Sequence, residues 1–234
     1  MSHNLLHPEL LTVSELFDHD TVYTVPIYQR NYAWRAPQIE QLISDIQDAV
    51  VRQESGYFLG NLVVTLRDSR IGFEVIDGQQ RLTTLYLLLT FLENDGSSPW
   101  ARHQGHLQYE SRARATEALR RVGQEPHLHA GQVQDSMADE DGGIHEGYNI
   151  IHQYIQQHAG LDRNAFADFL RARVTVVRAS LPPKTDLNRY FEIMNTRGEQ
   201  LQPVDIVKAR LMSHLPDPER AVFAWVWDAC ADMD

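Results

Sequence analysis

The sequence predicts an α+β fold: a mixed sheet with helices in the front half, then a mainly helical back half. Three observations predict it. Runs rich in β-branched and aromatic residues recur at 23–27, 57–66 and 73–77. Apolar residues recur at helical spacing after Pro37 and again after Gln80. Beyond Asn94 the helical period dominates, and one further strand-like run remains, Val174-Thr175-Val176-Val177, which can rejoin the first sheet.

In order along the chain, residues 10–17 read as a short amphipathic helix carrying Leu10, Leu11, Leu16 and Phe17. Tyr23-Thr24-Val25-Pro26-Ile27 is extended, because the residue before a proline avoids the helical region. Pro37 opens a helix at the first position, with Ile39, Leu42, Ile43, Ile46 and Val50 as its buried face. The strand 57–66 contains Gly60, which signals a bulge or a close backbone approach. Arg67-Asp68-Ser69-Arg70 is turn material, so that strand and the next form a hairpin. Phe73 to Asp77 is a buried strand, Gly78 a sharp turn, and Leu82, Leu85, Leu88, Leu89 and Leu92 are the apolar face of a helix.

Asn94-Asp95-Gly96-Ser97-Ser98-Pro99 ends that helix. Residues 109–122 read as an arginine-rich helix, 123–147 as a polar loop, and helices follow around Ile150–Ile155 and Phe166–Leu170. Asp186 starts a helix that stops at Gly198, a left-handed cap. Pro203 and Asp205 start the next, Pro216 ends it, and 221–233 begins one more. The chain stops without a cap, as expected of a longer natural protein.

The 234 residues include 43% hydrophobic ones, enough for a proper core. The net charge of −11 argues against a general nucleic-acid binder. Lys184 and Lys208 are the only lysines, so the positive charge is nearly all arginine, which suits bidentate phosphate or carboxylate contacts. One cysteine, Cys230, excludes an internal disulfide and points to a reducing compartment. The N-terminus lacks a signal peptide's basic start and apolar core, and no run approaches a membrane span. A cytoplasmic protein without membrane partners is expected.

Several chemistries are missing from the sequence. No glycine precedes either lysine, so there is no Walker phosphate loop, and no Gly-x-Gly-x-x-Gly occurs. His145-Glu146 would need a histidine at 149 to form a zinc-protease helix, and 149 is Asn. Three polar clusters stand out instead: Tyr28-Gln29-Arg30-Asn31, Asp77-Gly78-Gln79-Gln80-Arg81 and Asn195-Thr196-Arg197-Gly198. Each joins an arginine to amides that both donate and accept hydrogen bonds. At the second, a strand runs through a Gly turn into a helix whose free N–H groups favour an anion. Arg81 opposes the helix dipole there. Either Arg81 and the helix terminus share a phosphate, or Asp77 caps the helix and Arg81 pairs with a nearby carboxylate.

Taken with Val25-Pro26-Ile27-Tyr28-Gln29-Arg30-Asn31-Tyr32-Ala33-Trp34, Phe58-Leu59-Gly60-Asn61, Asp77-Gly78-Gln79-Gln80-Arg81-Leu82-Thr83-Thr84-Leu85 and Phe191-Glu192-Ile193-Met194-Asn195-Thr196-Arg197-Gly198, with Leu201 and Asp205-Ile206-Val207-Lys208 after them, the chain resembles the N-terminal domain of GmrSD-type restriction endonucleases. The resemblance spans about 13–215. It implies a ParB/sulfiredoxin-like core over 1–95, a helical insertion with a mobile loop over 96–173, a strand and helices completing the core over 174–215, and the start of a further helical region over 216–234. It implies binding and hydrolysis of a nucleoside triphosphate with Mg²⁺, in phage defence, gating a nuclease outside this chain. Asp77 would hold the metal, Gln80 orient the attacking water, and Arg81 with Gly78 and Gln79 hold phosphate. Tyr28, Gln29, Arg30 and Asn31 would close over the ligand, and Asn195, Arg197 and Gly198 reach in from the helical half. DNA would be met through a C-terminal region or partner subunit. The alternative is a modification-sensing DNA-binding module without turnover.

Overall fold

A computed structural model describes residues 8–18, 21–67, 72–97, 105–110, 113–124, 142–182, 185, 211–212, 215–216, 219, 222–223 and 226–227. Its elements, in chain order, are β1 (Glu9–Thr12), α1 (Val13–Leu16), β2 (Val22–Val25), α2 (Ala36–Val51), β3 (Tyr57–Leu66), β4 (Gly72–Asp77), α3 (Gln79–Asn94), β5 (Leu107–Tyr109), α4 (Ala113–Gln124), α5 (Gly142–Gln157), α6 (Arg163–Arg173) and β6 (Val174–Leu181). The strands form one six-stranded mixed sheet in the order β1-β6-β3-β4-β2-β5. β3 and β4 make the expected antiparallel hairpin. The late strand does rejoin the first sheet: β6 lies between β1 and β3, parallel to β3 and antiparallel to β1. The protein is therefore α+β.

One continuous core joins helix and sheet. Tyr23 and Val25, Phe73 and Val75, Leu107 and Tyr109, and Val174 and Val176 all enter it. Their shared alternation puts them on one face of the sheet. α3 is the centre of that core. Every residue from Leu82 to Leu92 is buried, which is why its apolar pattern is not confined to one stripe. Its buried threonines are satisfied: Thr84 donates to Gln80 O at 2.8 Å, Thr90 to Tyr86 O at 2.8 Å, and Thr83 meets the Tyr109 hydroxyl at 2.9 Å. A second, smaller cluster packs Met212, from the back half of the chain, against Ile27, with Tyr28 and Phe223 beside it.

Four local expectations are corrected. Leu10 and Leu11 are extended rather than helical, because they pair with Val177 and Val176 of β6. The helix starts only at Val13, where Thr12 and Glu15 form a capping box. Pro37 is the second helical residue of α2, and Ala49 rather than Val50 completes the buried face. Leu107 to Tyr109 form a strand beside β2, so the following helix begins at Ala113. α5 begins at Gly142, inside the stretch read as loop. The helices expected over 186–210, and with them Asn195, Arg197 and Gly198, lie outside the described residues.

Candidate functional site

The site is built where β4 ends. Asp77 is the last residue of β4, Gly78 turns with φ 92°, and Gln79 opens α3. That angle lies in the left-handed region open to glycine, and a Cβ on Gly78 would press to 3.0 Å from Asn61 O. Gly78 is the helix N-cap and has no side chain to cap with. Asp77 does not fill that role, since its half-buried carboxylate bonds no described group. α3 thus starts with no side-chain cap and no acid in its first turn.

Arg81 lies in that first turn and lines a half-open cleft of about 220 Å³, mouth included, with Leu59, Gly60, Asn61 and Gly78. Its Nη1 donates to Leu59 O at 3.0 Å. The strand is shaped for this contact. The β3–β6 register shifts between Phe58 and Gly60, so Leu59 is the extra residue of a bulge and its carbonyl is turned to the arginine. Gly60 has φ 124°, and a Cβ there would lie 2.0 Å from Arg81 Nη1. Gly60 therefore realises both the bulge and the close approach its position suggested. No described carboxylate is within 4.0 Å of the Arg81 guanidinium, so the alternative of a structural ion pair is not what holds it.

The Tyr28–Asn31 cluster meets the same helix terminus, and its residues divide into two groups. The three glutamine amides are engaged in the fold. Gln29 donates to Ile76 O at 2.7 Å, and Gln79 to Arg30 O at 3.0 Å. Gln80 donates to Asn31 O at 3.0 Å and accepts from Ala33 N at 2.9 Å and Trp34 N at 3.2 Å. One amide hydrogen of Gln80 remains for other work. The other polar heads are uncommitted: Arg30 is exposed, and neither its side chain nor those of Asn31 and Asp77 bonds a described group. Tyr28 turns elsewhere, donating to Glu74 Oε1 at 2.9 Å. Glu74 alternates with Phe73 and Val75, so this pair is on the opposite face of the sheet from α3. Burial raises the Glu74 carboxyl above the usual carboxylate range, and burial beside Glu74 raises the Tyr28 hydroxyl well above its own.

Two of the three polar clusters thus converge on one helix terminus. Gly60 and Asn61 were not picked out as site residues, although a glycine within a strand was the signal that could have found them. Among the described residues there is no group of three or more His, Cys, Asp or Glu that would hold a metal, and no helix long and apolar enough to cross a membrane.

A mixed-sheet α+β domain, with its cleft made by a strand, a glycine turn and a helix start, is the class of protein these features define. Residues 13–212 match the family described as GmrSD restriction endonuclease, N-terminal domain, and the chain belongs to that family. Its setting is therefore that of a restriction or defence protein. No curated protein matches the chain.

Proposed function

We propose that this domain binds a nucleoside triphosphate at the start of α3 and hydrolyses it, as one part of a restriction system that also acts on DNA. The observation that carries the reading is the uncapped terminus of α3 with an arginine fixed beside it. The N–H groups of Gln79, Gln80 and Arg81 bond no described group and carry the positive end of the helix dipole. A cation in that turn costs stability unless an anion joins it. Arg81 keeps most of its five N–H donors after the bond to Leu59.

The enclosed part of the cleft has room for about one water. A nucleotide would therefore lie across the mouth, with phosphate oxygens meeting the helix start. Arg81 would take one edge of the phosphates and Arg30 the open side, and their charge would stabilise the transferring phosphoryl group. Asp77 fits a divalent cation, because it is a hard oxygen donor two residues before the phosphate-facing N–H groups and nothing described occupies it. Mg²⁺ bound there would neutralise charge that develops on the phosphates. Gln29, Gln79 and Gln80 act by holding the 29–34 segment against α3. Asn195, Arg197 and Gly198 belong to the proposal as a third contribution from the helical half.

The test is phosphate release from each common triphosphate with Mg²⁺, with and without DNA. Turnover of at least one triphosphate is expected, and Arg81→Ala should abolish it. Salt-sensitive DNA binding with no nucleotide binding and no phosphate release would replace this reading with that of a DNA-sensing module.

A further inference from the structure

The amide of Gln79 is 5% exposed, and its oxygen has no hydrogen-bond partner. The amide cannot simply be turned over. Its Nε2 donates to Arg30 O at 3.0 Å, and a carbonyl accepts only, so the reversed amide would set oxygen against oxygen. The orientation is thus fixed by the loop, and Oε1 is left as a buried acceptor at the first residue of α3. Such a group costs about 1–3 kcal/mol unless something electropositive meets it. A bound anion alone would not relieve it, since phosphate oxygens are acceptors too.

We infer that Gln79 Oε1 is a ligand of the divalent cation that accompanies the triphosphate. This inference rests on the nucleotide reading. A cation resolves this, because it meets the orphaned acceptor and can bind phosphate at the same time. Asp77 supplies a second oxygen from close by. The two residues flank Gly78, and two steps of chain separate their Cα atoms by at most about 7 Å. At that separation the two side chains are long enough to meet at one ion. The set is sparse, an amide and a carboxylate without a third acid or histidine. Mg²⁺ accepts that, since it keeps several waters and takes the rest of its shell from phosphate. The two amides of the motif then have different jobs. Gln80 has both ends of its amide on the 31–34 segment, whereas Gln79 uses its nitrogen for the loop and its oxygen for the ion.

The test compares Gln79→Met with Gln79→Glu. Both lose the bond to Arg30 O, and the thermal melt reads how far each loosens the loop, but only Glu restores an oxygen. Mn²⁺ binding is followed by electron paramagnetic resonance, alone and with a non-hydrolysable triphosphate, beside a thermal melt. The expected result is that Gln79→Met weakens Mn²⁺ about tenfold or more in the presence of the nucleotide. Gln79→Glu should bind Mn²⁺ at least as well as the native protein. Native Mn²⁺ affinity in Gln79→Met, or equal weakening in both variants, overturns the inference while leaving nucleotide binding intact. A native protein that binds neither Mn²⁺ nor triphosphate overturns both the inference and the reading beneath it.

Discussion

Arg81 and Gly60 are a matched pair, and each can be tested alone. Arg81→Ala removes the proposed charged contact to phosphate and one bond to the carbonyl of Leu59. A charged hydrogen bond contributes about 1.5–3 kcal/mol, so nucleotide affinity should fall roughly 10–100-fold while the melting curve stays near native. Calorimetric titration beside a melt reads both. Gly60→Ala should reach the same loss from the other side. The new Cβ would collide with Nη1 and occupy a backbone angle that alanine rarely adopts, at a cost of roughly 1–3 kcal/mol. An alanine variant with native affinity would show that Arg81 need not rest against β3. Asp77→Asn should abolish metal-dependent hydrolysis with little change in stability, because the carboxylate holds no described neighbour.

At the scale of elements, α3 and the segment before α2 are joined by side chains rather than by a ladder. Gln80 alone makes three hydrogen bonds to that segment. Gln80→Leu should cost about 2–4 kcal/mol, at roughly 1 kcal/mol per bond plus the exposed N–H groups. Amide exchange of Ala33 and Trp34 should quicken more than that of α3. The opposite face carries a pH signal. Burial keeps the Glu74 carboxyl raised in the folded chain, so the folded state holds more protons than the unfolded state above the ordinary carboxylate range. Stability should fall as pH rises through that window. Glu74→Gln keeps the acceptor for Tyr28 and should melt higher than native at pH 7–8, with the difference gone near pH 4. A pH-independent difference would exclude Glu74 as its source. Much of this level was legible in the sequence. Gly60, Gly78 and the leucines of α3 announced the turn, the bulge and the core helix because backbone sterics and period act locally. β1 and β5 were not legible. Four and three residues long, they are extended only because a distant strand pairs with them.

For the whole molecule, the site draws on residues far apart in the chain. Val176 of β6 lines the same cleft as Arg81, and Met212 is buried against Ile27 just before the Tyr28 cluster. Saturating nucleotide should therefore stabilise the whole chain, by roughly 2.7 kcal/mol at a hundredfold excess over its dissociation constant. Arg197→Ala is expected to weaken binding about as Arg81→Ala does, with losses that do not add. An unchanged affinity and an unchanged melting shift would remove the third cluster from the site. The sequence showed the three clusters and the late strand but not which side chains were occupied. That division depends on which backbone carbonyls the fold brings within reach of Gln29, Gln79 and Gln80, and spacing along the chain carries no record of it.

The place of β6 between β1 and β3 also sets a timetable. A ribosome that has made β1, β3, β4 and α3, the last ending at Asn94, still has about eighty residues to add before β6 begins at Val174. At about 5–20 residues per second, that interval is of the order of ten seconds. Throughout it the flank of β3 that carries the Leu59 bulge has no neighbouring strand. The Arg81 seat then belongs to an open sheet edge, a surface prone to pairing with other chains. Nascent chains stalled before residue 174 should consequently lean on chaperones, and those stalled well beyond 181 should not.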